Sequence, residues 1–151
     1  MGKIREMEEE DLDQVLEIER QSFPSPWSRK AFFLELKNTF SNLYVWEESG
    51  KIWAYIVWRS IAGEVHIINI AVHPEKRRKG IGRELLTFCL EREKNSEYAI
   101  LEVRASNLAA IELYKKMGFV HLTTIRDYYT LPTEDAVVMI KELNSPDFPV
   151  E

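Results

Sequence analysis

Val65-His66-Ile67-Ile68-Asn69-Ile70-Ala71-Val72, followed after a short link by Arg77-Arg78-Lys79-Gly80-Ile81-Gly82, is the stretch that decides how this chain folds. The first run is apolar and reads as a strand. Beyond the glycines, Ile81, Leu85, Phe88 and Cys89 recur at the spacing of an amphipathic helix. Strand, basic glycine-containing loop and helix, in that order, present unpaired backbone N–H groups and a positive helix end to an anion, most naturally a phosphate. Gly80 and Gly82 let the backbone approach such a ligand closely. The spacing R-x-x-G-x-G is neither the dinucleotide fingerprint nor the P-loop, so the loop alone does not name its ligand.

The same strand-and-helix grammar extends outward in both directions. Residues 4–7 suit a short strand, and Asp11 is placed to cap a helix in which Leu12, Val15, Leu16 and Glu19 share a face. Phe23-Pro24-Ser25-Pro26-Trp27-Ser28 is a loop, because each proline drives its predecessor out of helix. Ser28 caps a second helix through about Lys37. Residues 43–46 and 52–58 read as a hairpin about Ser49-Gly50, and the next strand covers residues 64–72. A strand over 98–105 leads to Asn107, which caps a helix turning Ala110, Leu113 and Met117 to the core, with Gly118 closing it. Strands at 119–125 and 136–140 complete the order β-α-α-β-β-β-α-β-α-β-β. This is a mixed α/β (α+β) arrangement with helices on both faces of one sheet. Residues 1–143 read as one domain and 144–151 as a loose tail.

Composition narrows the setting. At 151 residues, with 45% hydrophobic and 30% charged content, the chain can build one soluble core. A net charge of −5 argues against bulk binding to nucleic acid or to a membrane surface. No apolar stretch approaches a membrane span, and the charged N-terminus is unlike a signal peptide. With a single cysteine no intramolecular disulfide forms. The expectation is a cytoplasmic protein, monomeric or weakly homodimeric, without a metal.

Glu102 is the residue that does not belong. It interrupts Ala99-Ile100-Leu101-Glu102-Val103, otherwise a buried strand, and shares a face with Arg104. A carboxylate there is costly unless paired, hydrated or used. One reading is a structural ion pair with Arg104 or a neighbouring-strand partner. The other is a general base whose pKa partial burial lifts toward neutrality. Tyr114, on the flank of the next helix, is either amphipathic packing or a hydroxyl delivered to the strand end that carries the anion loop.

These segments resemble a known family. Asn69 through Arg83 looks like the acetyl-CoA motif of the GNAT acetyltransferases. Leu101-Glu102-Val103-Arg104-Ala105-Ser106-Asn107, Ala109-Ala110-Ile111-Glu112-Leu113-Tyr114 and Gly118-Phe119 are similar, more closely, to the ribosomal-protein-alanine N-acetyltransferases and related archaeal N-terminal acetyltransferases. Ser22-Phe23-Pro24 with Pro26-Trp27-Ser28, and Arg126-Asp127-Tyr128-Tyr129 with Glu134-Asp135-Ala136, extend the likeness to nearly the whole chain.

The resemblance implies the GNAT fold, a mainly antiparallel twisted sheet of about seven strands, and acetyl-CoA as co-substrate. Ile70, Ala71 and Val72 would hold the acetyl-pantetheine arm, with a backbone N–H polarising the thioester carbonyl. Arg77, Arg78, Lys79, Gly80, Ile81, Gly82 and Arg83 would wrap the pyrophosphate, and Asn107 would touch the cofactor arm. Glu102 would act as base, Tyr114 as acid toward the departing thiolate. Phe23, Pro26, Trp27, Tyr128 and Tyr129 would orient the N-terminal peptide of a protein acceptor, possibly a ribosomal protein. Thr130-Leu131-Pro132-Thr133 lacks the glycine expected there, which bears on acceptor choice and not on the reaction.

Other signals carry less. Cys89 lies on an apolar helix face and reads as core. His66, His73 and His121 are scattered without metal-ligand spacing. Lys76-Arg77-Arg78-Lys79 fits one phosphorylated ligand better than a nucleic acid. Two alternatives stay open on the sequence: acetylation of a lysine or small amine, and a non-catalytic acyl-CoA-binding subunit.

Overall fold

The computed structural model describes residues 2–144; the tail expected over 144–151 lies, past its first residue, outside them. In chain order the elements are β1 (Lys3–Glu6), α1 (Leu12–Ser22), α2 (Arg29–Lys37), β2 (Ser41–Glu48), β3 (Lys51–Ile61), β4 (Glu64–Val72), α3 (Ile81–Arg92), β5 (Tyr98–Arg104), α4 (Leu108–Lys116), β6 (Val120–Tyr129) and β7 (Glu134–Glu142). The order is the one the sequence predicts. Seven strands form one sheet, β1-β2-β3-β4-β5-β7-β6. Every neighbouring pair is antiparallel except β4 with β5.

Local chemistry explains most boundaries. Ser28 Oγ accepts from Ala31 N at 3.1 Å and starts α2. Asn107 Oδ1 does the same for α4 through Ala110 N at 3.2 Å. Ser49 and Gly50 take φ of 54° and 76°, the paired left-handed conformation of a tight hairpin turn between β2 and β3. Gly118 sits at φ 98°, as its place after α4 requires.

Three expectations need correction. The Asp11 carboxylate does not cap α1: a 3-10 turn (Glu9–Asp11) precedes the helix, and this carboxylate accepts from Glu8 N and from both Arg5 guanidinium nitrogens, at 2.8–2.9 Å. An arginine on the adjoining strand outcompetes the helix amides because it offers two charge-assisted bonds. On α4 the face is rotated: Tyr114 is the buried residue, while Ala110, Leu113 and Met117 are only partly covered. Finally β6 and β7 run longer than expected. β6 is an edge strand, exposed along nearly all its length, so burial gives it no hydrophobic signature.

Two cores lie on opposite faces of the sheet. Leu12, Val15, Leu16 and Ile18 of α1 and Phe32 of α2 pack with Val45, Ile52, Tyr55 and Val57. Ile81, Leu85, Leu86 and Cys89 of α3 and Tyr114 of α4 pack with Ile56, Trp58, Val65, Leu101 and Met139. β3 is buried toward both. Leu85 is wholly buried whereas Leu108 is 69% exposed. Leu85→Ala is therefore expected to cost about 2–5 kcal/mol in urea unfolding with an unchanged m-value. Leu108→Ala should fall within about 0.5 kcal/mol of the parent; comparable losses would contradict this placement of α3.

Candidate active site

The parallel ladder between β4 and β5 is short. Pairing runs from Glu64 with Tyr98 to Ile67 with Leu101 and then stops. At that point β4 carries a bulge: Trp58 pairs with Ile67 and Val57 with Asn69, leaving Ile68 unmatched. Beyond it β4 follows β3 alone, and β5 follows β7, where Glu102 lies opposite Val138. His73 N donates to Trp53 O at 2.7 Å. Backbone direction alternates along a strand, so the amides of Ile70 and Val72 point the other way, into the opening. The side chains of Ile70 and Val72 pack on the α3 core, while Ala71 is buried on the α1 side.

The anion loop lies at the end of β4. Arg78 takes φ 64° and Gly80 φ 84°, which curls the backbone just ahead of α3. Gly80 gives α3 no side-chain cap, in contrast to Ser28 and Asn107 at α2 and α4. The first amides of α3 are thus left for an anion. A Cβ on Gly80 would meet nothing within 4 Å, so the space before the helix is open. Arg78, Lys79 and Arg83 are exposed around it, whereas the Ile81 side chain is core and offers only its amide. Arg77 is already engaged, donating from Nε to Val72 O at 2.9 Å and from Nη2 to Ser22 Oγ at 3.1 Å. A phosphorylated, narrow ligand arm fits this set: cations and open amides at the loop, unpaired strand amides beyond.

Glu102 faces the α1 side of the sheet, and its partner is not Arg104. His66 Nε2 lies 2.9 Å from Glu102 Oε1, across from β4 to β5. The bond to Glu102 raises the His66 pKa above its ordinary 6.5, outweighing burial. His66 is the residue that sequence reasoning passed over. It is far from Glu102 in the chain, and only the parallel register brings them together. Its one sequence signal was a polar side chain within an apolar strand, the same signal that marked Glu102.

Tyr114 approaches from the other face, its ring edge-on to Phe119 at 5.8 Å. Burial, with a smaller contribution from Tyr129, lifts its pKa beyond the usual phenol range, so it remains a proton donor at any physiological pH. Tyr129 is pushed up to about 12 by burial and by the Glu102 charge, and Tyr128 rises for the same reasons. Glu102, Tyr114 and the tyrosine pair therefore share one electrostatic neighbourhood.

The two aromatic segments expected to receive an acceptor do meet. Ser25 Oγ donates to Leu131 O at 2.9 Å and to Thr130 O at 3.3 Å, joining the loop after α1 to the loop between β6 and β7. Pro26 and Trp27 also line a depression of about 410 Å³ with Leu16 and Arg20. Arg104, set beside Glu102 on β5, organises the second loop. It donates to Pro132 O at 3.0 Å and Thr130 O at 3.3 Å, pairs with Glu134 at 3.2 Å, and lies 4.4 Å over the Tyr129 ring. In the loop that lacks the expected glycine, Leu131 adopts φ 53°, a left-handed conformation, and remains 81% exposed. Asn107 uses its Oδ1 as the α4 cap, beside Ser106, whose N donates to Glu134 at 2.6 Å.

A sheet parted between parallel strands, an uncapped helix start beside the parting, and a carboxylate on one of the two parted strands make up an acyltransferase architecture. The acetyltransferase (GNAT) family model matches residues 12–119, and the chain belongs to that family. A putative ribosomal protein bS18-alanine N-acetyltransferase of Bacillus subtilis is 38% identical over 144 residues, covering 93% of this chain and 95% of its own. An N-alpha-acetyltransferase of Sulfurisphaera tokodaii is 34% identical over 156 residues, covering 93% of each. The crystal structure of the ribosomal-protein-S18-alanine N-acetyltransferase from Escherichia coli superposes with a TM-score of 0.90 at 32% identity, over 100% of this chain and 99% of that one.

The Glu102–His66 pair has a measurable signature. Because the folded state raises the His66 pKa, its contribution to stability is complete below about pH 6.5 and is lost as pH rises through the raised value. In Glu102→Gln the His66 imidazole should titrate at lower pH by NMR, and the alkaline loss of stability attributable to it should shrink. An unchanged His66 midpoint would show that the pair does not exist in solution.

Proposed function

We propose that this protein transfers acetyl from acetyl-CoA to the α-amino group of a protein N-terminus, with a ribosomal protein as acceptor. The observation that carries the reading is the junction of the two aromatic loops through Ser25 and Leu131, beside the tyrosines that sense the Glu102 charge. A strand-like chain end presented between joined loops reaches Glu102 end-on, whereas a lysine within a folded surface must bring its flanking backbone too. Relatives from Bacillus subtilis and Escherichia coli, named for the alanine of ribosomal protein bS18, support the same acceptor class.

Each step has a residue suited to it. Arg78, Lys79, Arg83 and the amides from Gly80 to Gly82 hold the pyrophosphate, with Arg77 bracing the loop. The amides of Ile70 and Val72 take the pantetheine arm, one of them polarising the thioester carbonyl. An α-ammonium has a pKa of about 7.7–8.0, so Glu102, steadied by His66, needs to accept only a weakly held proton. The free amine forms the new N–C bond while the C–S bond breaks; Tyr114 donates to the departing sulfur, and the proton then shed by the acylated nitrogen, passed through solvent, restores the phenol. Attack is direct, in a ternary complex. Cys89 is buried and burial drives its thiol pKa up, which leaves it unsuited to carry the acyl group.

The test is CoA release from acetyl-CoA with short peptides differing at their first two residues, beside N-blocked lysine peptides. Turnover is expected on free N-termini only. Glu102→Ala and Tyr114→Phe should each lower kcat by roughly 10²–10⁴-fold with acetyl-CoA still bound. Turnover on blocked lysine peptides alone would overturn the acceptor class. Binding without turnover on any peptide would point to an acyl-CoA-binding subunit.

A further inference from the structure

Glu19 is one of the most buried charged residues described, 1% exposed on the inner face of α1. It accepts hydrogen bonds from three other segments. Tyr55 Oη on β3 donates to Oε1, as does Asn69 Nδ2 on β4 at 2.9 Å, while the backbone N of Trp27 donates to Oε2 at 2.9 Å. All three donors are neutral. A buried carboxylate needs such donors, and it also dictates where they must sit.

Two of these donors belong to different halves of the reaction as proposed above. Trp27 lies in the acceptor loop. Asn69 sits immediately after the Ile68 bulge and begins the segment whose Ile70 and Val72 amides face the donor opening. Asn69 Oδ1 is buried and has no hydrogen-bond partner, so its amide is held from one side, by Glu19. We propose that Glu19 is a positioning residue that couples the acceptor loop to the donor strand, so that acetyl-CoA bound along β4 steadies the loop about Trp27. This rests on the proposed function for its meaning, since the loop is taken there as the acceptor's. The physical coupling, however, can be read without any acceptor. A run of aromatic contacts also links the loop to the sheet, Trp27 tilted against Phe32 at 4.9 Å and Phe32 edge-to-face with Tyr55 at 5.8 Å. It supplies the control, because Tyr55→Phe keeps these ring contacts and keeps both Glu19 bonds to Trp27 and Asn69.

Amide hydrogen exchange over residues 23–28, measured with and without saturating acetyl-CoA, decides the matter. In the unmodified protein acetyl-CoA should slow exchange there by about fivefold or more. The slowing should drop below about twofold in Glu19→Gln and in Asn69→Ala but persist in Tyr55→Phe. Should Glu19→Gln fail to fold, Asn69→Ala against Tyr55→Phe carries the same contrast. Three results would overturn the proposal: no slowing in the parent, slowing retained in Glu19→Gln or Asn69→Ala, or slowing lost equally in Tyr55→Phe, which would mean general loosening of the α1 core. Peptide turnover on the same preparations separates the two claims. Coupled exchange without turnover on free N-termini sinks the acceptor assignment and leaves the role of Glu19 standing.

Discussion

The end of the parallel ladder at Ile67 and Leu101 is the constraint on which the rest of the molecule depends. A sheet that stopped pairing in mid-strand without support would leave amides unsatisfied and the sheet free to close or fray. Here the parted strands are held from both faces. α1 reaches β4 beyond the bulge through Glu19 and Asn69, and α3 packs against the other side with Ile70 and Val72 at the margin of its core. Each strand also keeps its other neighbour, β3 for β4 and β7 for β5. The opening is braced by the pairing of both strands on their outer sides, which leaves the β4 amides that face it to a ligand.

Charge is distributed to match. The chain is acidic overall, yet several of its carboxylates are spoken for. Glu35 is gripped at two points by Arg59, whose hydrogen bonds hold its pKa low. Glu134 is taken by Arg104 and Ser106, and Glu19 by its three donors. Glu102 differs in having a titratable partner, His66, and partial exposure: a carboxylate whose neighbour can itself gain or lose a proton can take part in proton transfer. The cations behave in the opposite way. Arg78, Lys79 and Arg83 remain exposed around an uncapped helix start, a local positive field on a negative protein.

Much of this was readable along the chain. The Ser28 and Asn107 caps, the Ser49-Gly50 turn and the left-handed Gly118 are local devices, and each lies where its chemistry placed it. The order of strands and helices follows from periodicity, which is local too. Glu102 and Tyr114 stood out, one as a charge in an apolar run and the other through family resemblance. Asp11 was misread because a local rule was overruled by Arg5, on a strand the rule does not consider. The buried face of α4 was assigned to the more apolar residues, although the structure turns Tyr114 inward. Burial there follows from what α4 packs against, and the helix's own pattern was too weak to choose.

Residue types and short spacings were thus enough to establish an α/β chain with an anion loop, an anomalous carboxylate and aromatic loops, since caps, turns and helix faces arise from interactions within a few residues. Tertiary structure alone decided which of these meet. His66 reaches Glu102 through the register of two strands separated by α3, Ser25 reaches Leu131 across most of the chain, and Glu19 gathers donors from β3, β4 and a loop. Such contacts depend on strand order, a bulge and the handedness of a crossover. These are properties of the assembled sheet, and no window of sequence contains them.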